Sequence, residues 1–69
     1  VISEVDLRDW EQLDTVPLYS VPRNTYIKLG DDYFFFDHID GMYSFCLDMN
    51  NMVYHIMATT PVIPLRKPA

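Results

Sequence analysis

The stretch from Tyr33 to Met57 constrains the fold more than any other part of the chain. It reads Tyr-Phe-Phe-Phe-Asp-His-Ile-Asp-Gly-Met-Tyr-Ser-Phe-Cys-Leu-Asp-Met-Asn-Asn-Met-Val-Tyr-His-Ile-Met. Aromatic and aliphatic residues recur through it, and two turn signals interrupt it: Asp40-Gly41 and the weaker Asn50-Asn51. Gly takes positive φ at no steric cost, and Asp and Asn tolerate it, so each pair marks a tight hairpin turn. The pattern predicts three antiparallel strands.

Two-residue loops at those positions set a register. Ile39 is expected opposite Met42, Phe36 opposite Phe45 and Phe34 opposite Leu47. Across the second turn, Leu47 faces Tyr54, Cys46 faces His55 and Phe45 faces Ile56. Side chains alternate between the two faces of a sheet. One face then carries Phe34, Phe36, Tyr43, Phe45, Leu47, Tyr54, Ile56 and Ala58, and is the expected core side. The other carries Tyr33, Phe35, Asp37, Ser44, Cys46, Asp48, Val53 and His55. A slip of one residue would bury Asp37 and Asp48 and expose three Phe.

The flanking segments extend this plan. Ser3 to Leu13 reads as a short amphipathic helix, with Ser3 as its cap and Asp6 three residues on, as in a capping box. Ile2, Val5, Trp10, Leu13 and Val16 fall within one helical arc. Pro17 and Pro22 frame a short edge strand at Leu18 to Val21, because proline cannot donate to a ladder. Tyr19 and Val21 are expected to point inward there. Tyr26 to Leu29 is the next strand, and a turn at Asp31-Asp32 sets Ile27 opposite Phe36 and Leu29 opposite Phe34. Val62 and Ile63 form a last closing strand, and Arg66-Lys67-Pro68-Ala69 a basic tail. The expected fold is mainly β: a single small domain over 1–69, with a helix at 3–13 and strands within 18–65. It forms a strongly bent antiparallel sheet or barrel, since closure removes exposed edges.

Size and charge narrow the function classes. A chain of 69 residues buries only about 60% of its unfolded surface, so it gains from outside support. Cys46 is the single cysteine and forms no internal disulfide. No Cys/His spacing suits zinc, so no cofactor or metal is expected. Oligomerisation is the remaining support, and a homo-oligomer is expected. The net charge is -5, and most of it lies in Val1 to Asp14, where five acids face Arg8 alone. This balance lacks the basic footprint of a general nucleic-acid binder. No signal segment or membrane span is apparent. A lone thiol fits a reducing, cytoplasmic compartment.

Asn24-Thr25-Tyr26-Ile27-Lys28-Leu29 followed by Asp32-Tyr33-Phe34 resembles a turn, Tyr-Ile-Lys and aromatic-strand pattern in short uncharacterised proteins of tailed bacteriophages. The likeness covers about two-fifths of the chain, Thr15 to Asp40, and would imply a bacterial host cell. The layout of a helix followed by bent strands is similar to Sm-like and SH3-like barrels. That likeness implies a small barrel with a tendency to form rings. The Sm family's Asp-x-Asn and Arg-Gly elements have no counterpart here, where the turns read Asp40-Gly41-Met42 and Asn50-Asn51-Met52.

Four groups of residues invite chemistry. His38 with Asp37 and Asp40 suggests an acid-base or metal site, but the register puts His38 and His55 on opposite faces. Cys46 opposite His55 is a nucleophile-base pair with Asp48 or Asp37 as a nearby third group, but no elbow or helix N-terminus presents the sulfur. Pro61-Val62-Ile63-Pro64-Leu65-Arg66 matches a polyproline-ligand form, while Val62 and Ile63 also suit a strand. Tyr26, Tyr33, Phe35, Met42, Val53 and Met57 gather on the outer face, and contiguous apolar surface of this kind marks an interface. The alternative for that face is cover by the N-terminal segment of the same chain. The expectation is a non-enzymatic protein-protein interaction or structural module. A nucleic-acid-binding barrel that stacks bases on surface aromatics is the second reading.

Overall fold

In a computed structural model that describes residues 6–68, β4 (Asp32–Asp40) and β5 (Tyr43–Leu47) form the centre of an antiparallel sheet. Their hairpin loop is Gly41-Met42, one residue later than the sequence suggests. Gly41 has φ 64° and occupies the first loop position, where a type II′ turn needs positive φ. Near the loop Asp40 faces Tyr43, Ile39 faces Ser44 and His38 faces Phe45. Further on Phe36 faces Cys46 and Phe35 faces Leu47. Asp37 is therefore the extra residue of a β-bulge.

A bulge opposes two residues to one and exchanges the faces beyond it. Phe34 and Phe36 point into the core as expected, but Ser44 and Cys46 join them there, each fully buried. Tyr43, Phe45 and Leu47 lie on the opposite face, which corrects the expected register. The extra carbonyl is not orphaned, because the Asn24 N–H donates to the Asp37 carbonyl at 3.3 Å. Asn24 holds φ 60° to do so.

β6 (Val53–Tyr54) pairs with β5 as Leu47 to Val53 and Cys46 to Tyr54. Its loop, residues 48–52, is longer than expected. The Asp48 carboxylate accepts from the Asn50 and Met52 N–H groups and Asn51 takes φ 63°. This one-residue displacement cancels the one caused by the bulge. Tyr54 therefore shares a face with Phe34, its ring edge-on at 5.4 Å, and Val53 stays on the outer face.

β3 (Thr25–Leu29) flanks β4 on the other side, with Ile27 opposite Phe34 and Thr25 opposite Phe36. The loop is Gly30-Asp31 rather than Asp31-Asp32, one residue earlier, so each cross-strand partner shifts by two residues and the faces are preserved. β7 (Pro61–Arg66) is longer than a closing strand and lies within the sheet, paired with β3, β1 (Glu11–Gln12) and β2 (Val16–Pro17). The strand order is β1-β7-β3-β4-β5-β6 with β2 also on β7, and the sheet does not close.

Each face is covered by an irregular segment. Leu18, Val21, Ile27, Phe34, Phe36, Cys46 and Val62 form the main core. Leu18–Ser20 is a 3-10 turn and not the expected edge strand. Side chains three apart eclipse in that geometry, so Leu18 and Val21 enter the core while Tyr19 is exposed. A second cluster lies across the sheet, where Leu7 and Leu65 gather Trp10, Tyr26, Tyr33, Phe35, Met49 and Ile63.

The expected helix is absent over residues 6–13, and its proposed Ser3 cap lies outside the described residues. A 3-10 turn, Leu7–Asp9, stands there, with the Asp6 carboxylate accepting from the Arg8 N–H at 3.1 Å. A helix this short gains little from its own hydrogen bonds. Glu11 and Gln12 join β7 instead, and the Leu13 N–H donates to the Pro64 carbonyl at 2.9 Å. Arg66 belongs to β7 and not to a basic tail, since it forms a forked ion pair with Glu11 at 2.6 Å.

Candidate interaction surface

The outer face divides into two halves. Over β3, β7 and the start of β4 it is covered by Leu7 and Trp10. Trp10 stands edge-on to Tyr26 at 5.1 Å, and Tyr26 edge-on to Phe35 at 5.1 Å. Tyr26, Tyr33 and Phe35 are half-buried in this arrangement. The N-terminal segment thus covers three of the six expected interface residues within the same chain.

Over β4, β5 and β6 the same face presents a grid of side chains that the Leu7 cluster does not include. Register sets its rows. Asp40, Tyr43 and Met57 form one, through the β4–β5 pairing and a bridge between Tyr43 and Met57. His38, Phe45 and His55 form the next. The His38 ring stacks on Phe45 at 5.6 Å and His55 meets Phe45 edge-on at 6.1 Å. Leu47 and Val53 form the last, which Phe35 of the covered half continues. Val53 and Met57 are 47% and 45% exposed, and Met42 at the hairpin tip is 72% exposed.

Both imidazoles in the middle row are anchored through Nδ1. His38 Nδ1 lies 2.7 Å from Asp37 Oδ1, and His55 Nδ1 lies 3.0 Å from the Ser44 carbonyl oxygen. Carbonyl and carboxylate oxygens only accept, so Nδ1 carries the proton in each ring and Nε2 is the free nitrogen of the neutral form. His38 and His55 thus share a face, contrary to the sequence register, with the Phe45 ring between them. No group of three or more His, Cys, Asp or Glu side chains suited to a metal is found among the described residues.

The other expected pairings separate. Cys46 faces the core opposite Tyr54 and has no exposed surface, while His55 lies on the outer face. Burial pushes the Cys46 thiol above its ordinary pKa. The segment Pro61 to Arg66 is committed to the sheet, with Val62 and Leu65 buried.

Sequence reasoning missed Tyr43, Phe45, Leu47 and His38 as outer-face residues. One signal was present: apolar residues fall at Phe34, Phe36 and Ile39, and the final spacing of three breaks strict alternation. An Asp, disfavoured inside strands, stands in that gap.

Comparison with known protein families, with curated proteins and with solved structures finds no match to this chain. Among the described residues no helix is long and apolar enough to cross a membrane.

Proposed function

We propose that this chain is a protein-protein contact module that self-associates through the uncovered half of its outer face. The observation that carries this reading is the grid around Phe45. Tyr43, Phe45 and Leu47 on β5 stand together with Val53 on β6 and with Met57 at the bridge beyond it, outside the cluster of Leu7 and Trp10. Aromatic residues and Met are favoured at the centres of interfaces, and rim charges such as Asp40 are expected around them. Burial contributes about 25 cal/mol per Å² of apolar area, so a shared face matters to a fold this small. Leu7 and Trp10 cover the other half, and the acids Asp6, Asp9 and Glu11 beside them do not oppose the contact.

Light scattering tests it. A mass of two or more chains is expected at micromolar concentration, with a Tm that rises with protein concentration by mass action. Met57→Lys should lower the mass to one chain without loss of fold, because Met57 is exposed and outside both clusters. A wild-type mass of one chain at high concentration overturns the reading.

The ring row His38, Phe45, His55 favours a second reading, in which single-stranded nucleic acid stacks its bases there. The acids Asp37 and Asp40 beside the row oppose it. Salt-dependent binding of a single-stranded oligonucleotide, lost in Phe45→Ala, would favour it over self-association.

A further inference from the structure

A separate cleft opens at the end of the sheet where β4 begins and β5 ends. Its volume is about 240 Å³, and Asp32, Tyr33, Phe34, Asp48, Met49 and Tyr54 line it. Aromatic side chains come from both sides of the sheet, since Tyr33 lies on the outer face and Phe34 and Tyr54 on the core face. The two carboxylates come from different strand ends. This volume is below the roughly 300–1,000 Å³ of pockets for drug-sized ligands, so it suits a single functional group.

We infer that this cleft binds an alkylammonium group, such as a lysine side chain or a choline-like head. Charge gives the sign. The Asp48 hydrogen bonds to the Asn50 and Met52 N–H groups fall on Oδ1. Among the described residues neither Asp32 nor Asp48 forms an ion pair. Lys28, opposite Tyr33 in the β3–β4 pairing, is the neighbouring base, and it reaches neither carboxylate. The aromatic walls give the chemistry. An organic ammonium gains from an aromatic wall as well as from a carboxylate, whereas a hard metal ion requires several converging oxygens. No such cluster is found among the described residues. Two carboxylates, three aromatic side chains and Met49 in one lining therefore select an alkylated cation. The site lies beyond the Phe45 grid and does not depend on self-association.

The probes are choline and Nα-acetyl-lysine amide, each paired with a neutral isostere, 3,3-dimethylbutanol and Nα-acetyl-norleucine amide. Binding is followed by NMR shifts of the Tyr33 and Tyr54 rings. Both cations should bind more tightly than their isosteres by about five-fold or more, the size of one cation–π or exposed ionic contact. The preference should weaken with added salt. Asp32→Asn and Tyr54→Leu should each reduce the binding, and circular dichroism confirms their fold. Tighter binding of choline assigns a small molecule as the source. Tighter binding of the lysine derivative assigns a protein side chain. Isosteres that bind as well as the cations, cations that do not bind, or folded variants with undiminished binding would overturn the inference.

Discussion

The Ser44 hydroxyl completes both backbone groups of Ile56. Ser44 Oγ donates to the Ile56 carbonyl at 2.8 Å and accepts from the Ile56 N–H at 3.1 Å. The β5–β6 ladder stops at Tyr54, so those groups would otherwise lack partners beside the core. One buried hydroxyl replaces a pair of ladder bonds and holds His55 and Ile56 against the edge of β5. The same serine's carbonyl accepts from His55 Nδ1 at 3.0 Å and so orients one end of the ring row.

Ser44→Ala should therefore cost more than its size suggests. A buried donor or acceptor left unpaired costs about 1–3 kcal/mol. A loss of roughly 2–3 kcal/mol is expected in urea unfolding, together with a shift of the His55 ring signals. An unchanged midpoint would show that Ile56 finds water in place of the hydroxyl.

Phe36 and Phe45 test the bulge directly. Without the bulge the Gly41-Met42 loop would set Phe36 opposite Leu47, and Phe45 would share the core face with Phe36. With it, Phe36 is 1% exposed in the core, while Phe45 lies half-buried between two histidines on the outer face. Phe36→Ala should cost about 3–5 kcal/mol, the range for truncating a buried aromatic. Phe45→Ala should cost the monomer about half of that or less. Equal losses under conditions where the chain is monomeric would contradict the bulge.

The local signals and the long-range ones were not equally legible. Turn residues and aromatic strands located β3, β4 and β5, and even placed Ile27, Phe34, Phe36 and Ala58 on the core side. Register failed at Asp37, because a bulge changes the parity of every later residue while leaving composition untouched. The outer-face positions of Val53 and Met57 survived only because the longer Asp48 loop restored that parity. Over residues 6–13 the expected helix failed for a different reason. Trp10 and Leu13 satisfy helical spacing, Leu7 and Trp10 equally satisfy a 3-10 turn followed by an edge strand, and docking of Glu11 and Gln12 on β7 decides between them. Of the expected interface, the apolar character of Met42, Val53 and Met57 was legible. The cover over Tyr26, Tyr33 and Phe35 depends on tertiary contact and was not.

Cys46 offers a prediction with a defined pH sense. Burial raises its pKa above the ordinary value of about 9.0. Between the unfolded and folded pKa values the native state holds the proton that the unfolded chain has lost. Its contribution is therefore complete below the unfolded pKa and fades as pH rises toward the folded one. Stability should fall through that alkaline window in wild type, and less steeply in Cys46→Ala measured against its own value at neutral pH. The thiol should also react slowly with iodoacetamide in the native protein and rapidly in urea. Rapid native labelling at neutral pH would place the sulfur outside the core.

Trp10 reports the cover over the other half of the outer face. It is the single tryptophan, half-buried, and its ring meets Tyr26 edge-on at 5.1 Å. Such a pair contributes about 0.5–1.5 kcal/mol beyond the area it buries. A fully buried aromatic loses about 3–5 kcal/mol on truncation to Ala, so a half-buried one should lose roughly 2. Trp10→Ala should lower the Tm, and it should expose Tyr26 and Phe35 to a hydrophobic dye. Wild-type emission should shift to the red on unfolding as the indole enters water. The same variant separates the two halves of the face. If self-association runs through Phe45 and Met57, loss of Trp10 leaves the wild-type mass unchanged at temperatures where the variant is folded. A rise in mass would instead mean that Tyr26 and Phe35, once uncovered, recruit a second chain. Loss of association in the folded variant would place Trp10 in the contact, and the division of the outer face at β4 would then be wrong.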